Sequence, residues 1–118
     1  MESPKILKII KLFDGRSLEN LYSLSATKIS NLLISKKISL SDYLNSITRR
    51  ISSIEKNVLA WQYYDEDFFL SKGRDLENFF NPYKTNKNLA GIPIGIKDVF
   101  NSADMPTEMG SPIWRGFT

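Results

Sequence analysis

Lys97 stands in the run Gly91-Ile-Pro-Ile-Gly-Ile-Lys-Asp98, where its type and surroundings could carry acid–base chemistry. Read as a strand, the run places Ile92, Ile94 and Ile96 on one face and Pro93, Gly95 and Lys97 on the other, because successive side chains alternate. The small neighbours leave space beside the lysine stem. Asp98 points to the opposite face, so it cannot pair with Lys97 while both remain in the strand. Lys97 therefore ends an apolar strand without a local counter-charge. A lysine at a strand end is also commonly just solvated, since lysine is rarely buried unless paired. Glycines at 91 and 95 equally serve bends or close packing. The residues by themselves leave both readings open.

The chain of 118 residues contains neither cysteine nor histidine. That excludes a disulfide framework, a thiol nucleophile and a thiolate zinc site among these residues, and it excludes Ser-His-Asp or Cys-His machinery. Acid–base chemistry must come from Lys, Asp, Glu or Tyr. Sixteen basic against 13 acidic residues leave a net charge of +3, spread along the chain without a basic patch interleaved with aromatics, so no nucleic-acid partner is expected. A hydrophobic share of 42% and a charged share of 25% suit a soluble globular protein, and the length suits one small domain. No run is long enough to span a membrane. In Lys5–Phe13 a lysine at every third position interrupts any signal-peptide core. There Lys5, Lys8 and Lys11 lie largely opposite Ile6, Ile9, Ile10 and Phe13, which predicts an amphipathic helix packed on its own protein rather than on a membrane surface. A cytoplasmic protein without membrane contact is expected.

The elements that must position Lys97 follow from periodicity. Asp14-Gly15 ends the first helix. Ser25 can cap a short helix whose apolar stripe is Ile29, Leu32 and Leu33, and Lys36-Lys37 breaks it. Ser39 precedes a longer helix in which Leu40, Tyr43, Leu44, Ile47, Ile51 and Ile54 form one apolar face, with Arg49 and Arg50 on the solvent side. Asp42, three residues after Ser39, completes an acidic capping box. Val58–Tyr64 is rich in β-branched and aromatic residues and predicts a short strand. Asp65 caps a further helix to about Phe80, burying Phe68, Phe69, Leu76 and Phe80, and Asn81-Pro82 stops it. Residues 83–88 form a polar loop, Leu89–Val99 a strand at an edge or of irregular form because of Pro93, and 101–118 a turn-rich tail. Helices, strand, helix, strand is the order of an α/β protein whose sheet has barely begun. The apolar face of Ile92, Ile94 and Ile96 then needs a partner.

The word Gly91–Asp98, followed by Pro106-Thr-Glu-Met-Gly-Ser111, resembles the opening motif of the amidase-signature family. In that family a strand of the form G-(I/V)-P-(I/V)-G-(I/V)-K-D delivers the catalytic lysine, and P-T-x-x-G-S follows. Residues 22–59 resemble the family's two leading helices, and the resemblance covers about residues 20–118. Asp104 stands where the family often has glycine before Met-Pro-Thr, and aspartate tolerates left-handed turn geometry. The implied fold is α/β: the N-terminal helices and first strands of a mixed-sheet amidase-signature domain, incomplete in this chain. Residues 1–20 are then an amphipathic extension, and 21–118 the N-terminal part of the domain, ending before its serine motif.

The resemblance implies hydrolysis or transfer at carbon–nitrogen amide bonds through a Ser-Ser-Lys triad, with Lys97 as the triad lysine. Free lysine, with a pKa near ~10.4, is charged at neutral pH, and burial disfavours the ammonium. A neutral Lys97 would take a proton from a bridging serine, admitted beside Pro93 and Gly95, which takes one from the nucleophile. Backbone N–H groups stabilise the oxyanion. Thr107 and Ser111 would border the active site as hydrogen-bonding groups, with Ser111 not assigned as nucleophile. No cofactor and no metal are implied. The two serines would come from a later glycine–serine-rich segment, so the chain by itself is expected to be inactive. Its partners would be a small-molecule amide substrate in the complete enzyme and, for a split enzyme, a complementing chain carrying the serines. Two alternatives stay open. One is a piece of the amidase subunit of a tRNA-dependent amidotransferase, which frees ammonia from glutamine for use on a mischarged tRNA. It ranks behind a plain amidase because Met109-Gly-Ser-Pro-Ile-Trp114 looks more like a stand-alone enzyme. The other is a non-catalytic binding or partner module, built on the helices at 25–56, that keeps the lysine strand by descent.

Overall fold

The computed structural model describes residues 18–79 and 89–118. The helix expected at 5–13, the Asp14-Gly15 turn, the burial of Phe80, the Asn81-Pro82 stop and the loop at 83–88 lie outside them. The described residues form a 3-10 turn (Leu18–Ser23) and the helices α1 (Ala26–Ile34), α2 (Leu40–Val58) and α3 (Glu66–Phe79). A run from 89 to 118 follows, whose one helical piece is a 3-10 turn at Pro112–Trp114.

Local chemistry sets the helix starts. The Lys28 N–H donates to Ser25 Oγ at 3.3 Å and opens α1. At α2 the capping box is complete: the Asp42 N–H donates to Ser39 Oγ at 3.0 Å, and the Ser39 N–H to Asp42 Oδ2 at 3.1 Å. Asp65 caps α3, its Oδ1 accepting the Phe68 N–H at 2.8 Å. The end of α1 is equally local. The Lys36 N–H reaches the Leu33 carbonyl and the Lys37 N–H the Leu32 carbonyl, each at 2.9 Å. This paired closure needs a left-handed residue, and Lys36 supplies it with φ 55°. Lys36→Gly is therefore expected to stabilise the fold by about 0.5–1 kcal/mol, the relief of left-handed strain outweighing the freedom glycine gains when unfolded. A shift of the urea midpoint to higher concentration checks this.

The core is helical. Leu21, Ile29, Leu32, Leu33, Ile38, Leu40, Tyr43 and Leu44 are buried together, with Ile47, Phe69, Leu70, Leu76 and Ile92 packed against them. The stripe expected on α1 and the Leu40, Tyr43, Leu44 and Ile47 part of the stripe on α2 face this core, Ile51 and Ile54 are half-buried beyond it, and Arg49 and Arg50 face solvent. Phe68, Phe69 and Leu76, expected to be buried, are half-buried. Helices α2 and α3 approach closely at Gly73, where any β-carbon would collide with Leu44 Cδ1. A second side of α2 holds the first turn: Ser46 is buried and its Oγ accepts the Tyr22 N–H at 3.1 Å, while the Arg50 guanidinium lies 5.3 Å from the Tyr22 ring centre.

Neither expected strand forms among the described residues. Val58 falls at helical spacing from Ile54 and is the last residue of α2. Leu59 turns left-handed (φ 52°), and the Trp61 N–H then donates to Glu55 Oε1 at 2.8 Å, folding the chain back on the helix end. The β-branched and aromatic content of 58–64 is thus overridden by the helix feeding into it. Residues 92–97 carry no helix, turn or ladder. A strand is stabilised by hydrogen bonds to a neighbour, and no described segment pairs with this one. Nor do the three isoleucines share one environment. Ile92 packs on the helical core, whereas Ile94 and Ile96 are 75% and 49% exposed. The described part of the chain is therefore helical, without the sheet that an α/β class requires.

Candidate active site

The Lys97 segment starts against the core. Gly91 is buried with φ +80°, and a β-carbon there would lie 3.1 Å from Leu40 Cδ1 and 3.2 Å from Leu33 Cδ1. From this anchor the chain runs outward to Gly95, where the Trp61 ring lies 3.4 Å from the position of a β-carbon. The space beside Gly95, expected to admit a serine, is occupied by this indole. Lys97 follows, exposed, at a tight turn in which its carbonyl accepts the Val99 N–H at 2.7 Å and the Phe100 N–H at 3.1 Å. It makes no ion pair among the described residues. Asp98 engages elsewhere: its Oδ1 accepts the Glu108 N–H at 2.8 Å.

Lys97 lies on the wall of a cavity of about 220 Å³, together with Gln62, Tyr63, Ser102 and Thr107. Thr107 is 1% exposed. Its Oγ1 donates to the Phe100 carbonyl at 3.0 Å, and its N–H to the Phe117 carbonyl at 2.7 Å. Thr107 thus ties the turn after Lys97 to the tail. Ser111 is half-buried, lies off this wall, and uses its backbone to shape the last turn, its N–H reaching the Glu108 carbonyl at 2.9 Å. Of the three residues singled out from the sequence, Lys97 and Thr107 come together at one cavity and Ser111 stands apart.

The amidase family model matches residues 42–118, from the capping box of α2 through the whole Lys97 loop to the tail. This chain belongs to the amidase family.

Among its relatives are proteins named as subunits of glutamyl-tRNA(Gln) amidotransferase. The one from Geobacillus kaustophilus is 31% identical over 98 residues, covering 83% of this chain and 20% of the relative. The one from Clostridium botulinum strain Loch Maree is 26% identical over 99 residues, covering 84% and 20%. That from Acidothermus cellulolyticus is 28% identical over 93 residues, covering 79% and 18%. The chain thus spans about a fifth of the length of these curated relatives. No solved structure matches it. Among the described residues no helix is long and apolar enough to cross a membrane.

In this amidase-family chain the tail is held by groups the sequence did not mark. Glu108 Oε2 accepts from Gln62 Nε2 at 3.1 Å, and Oε1 accepts the Gly116 N–H at 2.9 Å. Asp104 does not adopt the left-handed geometry suggested by its place before Met-Pro-Thr. Its carboxylate pairs with Lys72 of α3 at 3.0 Å, and both side chains are about half exposed (50% and 54%), so the pair adds little stability. Gln62 and Glu108 stand 46 positions apart, beyond any local signal.

A second, apolar cavity of about 640 Å³ lies between α2, α3 and residues 89–95, with Leu44, Ile47, Tyr64 and Phe69 on its walls. The Tyr64 hydroxyl is buried and has no hydrogen-bond partner among the described residues. Desolvation first, then the nearby Glu66 and Asp65 carboxylates, raise its pKa above the ordinary tyrosine value, and burial does the same for Tyr43. A raised folded-state pKa gives stability that is present below pH ~10 and lost as pH rises through the raised value. The fold is expected to weaken in the alkaline range. Tyr64→Phe removes an unsatisfied buried group and is expected to stabilise by about 1 kcal/mol at neutral pH, with a shallower alkaline loss. Denaturation midpoints at pH 7 and in the alkaline range check both.

Proposed function

We propose that this chain supplies the catalytic lysine, Lys97, of an enzyme that cleaves carbon–nitrogen amide bonds. The observation that carries this reading is the placement of Lys97, without an ion pair among the described residues, on a cavity wall it shares with Thr107 inside the family-matched loop. The serines of a Ser-Ser-Lys triad would come from the remaining length that relatives possess or from a complementing chain. Those residues would also cover Lys97 and pair with the exposed 94–100 stretch to build the mixed sheet of an α/β domain. Docking of that part requires the Trp61 indole to leave the side of Gly95. Desolvated and neutral, the lysine would accept the proton of the bridging serine as the nucleophilic serine attacks the amide carbonyl. The proton would then go to the departing nitrogen, and water would release the acyl group. Thr107 holds the turn carrying Lys97, and no cofactor or metal enters.

The names of the relatives favour the amidotransferase kind, a subunit releasing ammonia from glutamine in the cytoplasm, over the stand-alone amidase suggested by the Met109–Trp114 run. The test is ammonia release from L-glutamine and from benzamide by the native enzyme containing this chain, with any polypeptides that accompany it. Release from glutamine alone supports the amidotransferase kind, and release from benzamide the plain amidase. Cleavage of neither supports a non-catalytic module and overturns the proposal.

A further inference from the structure

Glu108 sits where three stretches of chain meet, and each of its polar groups is engaged. Its carboxylate accepts from Gln62 Nε2 and from the Gly116 N–H, at 3.1 and 2.9 Å. Its N–H donates to Asp98 Oδ1 at 2.8 Å, and its carbonyl accepts the Ser111 N–H at 2.9 Å. Hydrogen bonds to an ionised acceptor are stronger than neutral ones, and these connect positions 46, 10 and 8 residues away. Gln62 and Lys97 line the same cavity, and Asp98 is the residue next to Lys97. In the pattern P-T-x-x-G-S, Glu108 fills an unspecified position, so the motif gives it no role.

We propose that Glu108 is a positioning residue for Lys97, holding the 60–63 wall, the Lys97–Phe100 turn and the tail in one register so that the lysine nitrogen keeps its place on the cavity. The inference rests on the reading of Lys97 as the catalytic lysine. Glu108 acts through Gln62 and Asp98 and does not touch the reacting atoms. A shift of the lysine by about 1 Å is enough to cost on the order of 100-fold in rate, while substrate binding made elsewhere is untouched.

The test uses the native enzyme and whichever of L-glutamine and benzamide it cleaves. Glu108→Ala is expected to lower kcat by about 10- to 100-fold with KM changed by less than about threefold. Glu108→Gln, which keeps one carbonyl acceptor, is expected to recover part of the loss. Gln62→Ala removes a single bond, guards against a Glu108→Ala protein that does not fold, and is expected to lower kcat by about 3- to 10-fold. If kcat of a folded Glu108→Ala or Gln62→Ala enzyme stays within about twofold of wild type while Lys97→Ala has lost activity, the positioning role is overturned and the catalytic reading stands. An active Lys97→Ala enzyme overturns the reading itself and the inference with it.

Discussion

Lys97→Ala is expected to reduce amide hydrolysis by the native enzyme at least ~10³-fold, with the fold intact. Groups that act as one catalytic unit are non-additive, so losing a single member removes most of what the unit contributes. The stability of this chain by itself should hardly move. Lys97 is exposed, makes no ion pair among the described residues and lies outside the buried core, and surface substitutions of this kind stay within about ±0.5 kcal/mol. The separation is informative. A binding module that keeps the lysine by descent would lose neither activity nor stability, whereas a structural lysine would lose stability first. Steady-state rates of the native enzyme and denaturation midpoints of this chain by itself distinguish the three.

Gly91→Ala is expected to cost about 2–5 kcal/mol of stability. The left-handed backbone accounts for about 1–2 kcal/mol. Overpacking against Leu40 and Leu33, both 1% exposed and held within the core, accounts for about 1–3 more. Gly110 is the matched control, with φ +66° and nothing within 4 Å of an added β-carbon. Gly110→Ala should therefore show the backbone cost alone, about 1–2 kcal/mol. Equal losses at the two positions, read from urea midpoints, would remove the packing argument at Gly91. Against a typical domain stability of about 5–15 kcal/mol, the larger loss weakens the anchor from which the Lys97 segment departs.

What could be read from the sequence was what is decided locally. Ser25, Ser39 with Asp42, and Asp65 cap the three helices within three residues of themselves. The apolar stripes of α1 and α2 follow a period set by the helix alone. The lysine word pointed to the amidase family, and the family match over 42–118 bears that out. What failed depends on distant partners. A strand at 92–97 needs a neighbouring strand, and the described residues offer none, so alternation predicted a shared face that Ile92 leaves for the core. Val58 was claimed by the helix before it. The Trp61 ring over Gly95 and the Gln62–Glu108 bond join segments tens of residues apart, and composition carries no trace of them. The ranking of a plain amidase over an amidotransferase component rested on one six-residue run; the family match supports an amidase-family piece, and the relatives' names support the amidotransferase reading beside it.

The most direct test of Lys97 as the proton-accepting lysine is the rate of amide hydrolysis by Lys97→Arg in the native enzyme. Arginine keeps the positive charge and comparable reach, but its guanidinium is not deprotonated in proteins and cannot accept the proton of a serine. The account predicts a loss as deep as that of Lys97→Ala. Hydrolysis by Lys97→Arg near the wild-type rate would show that the residue contributes only charge, and would contradict it.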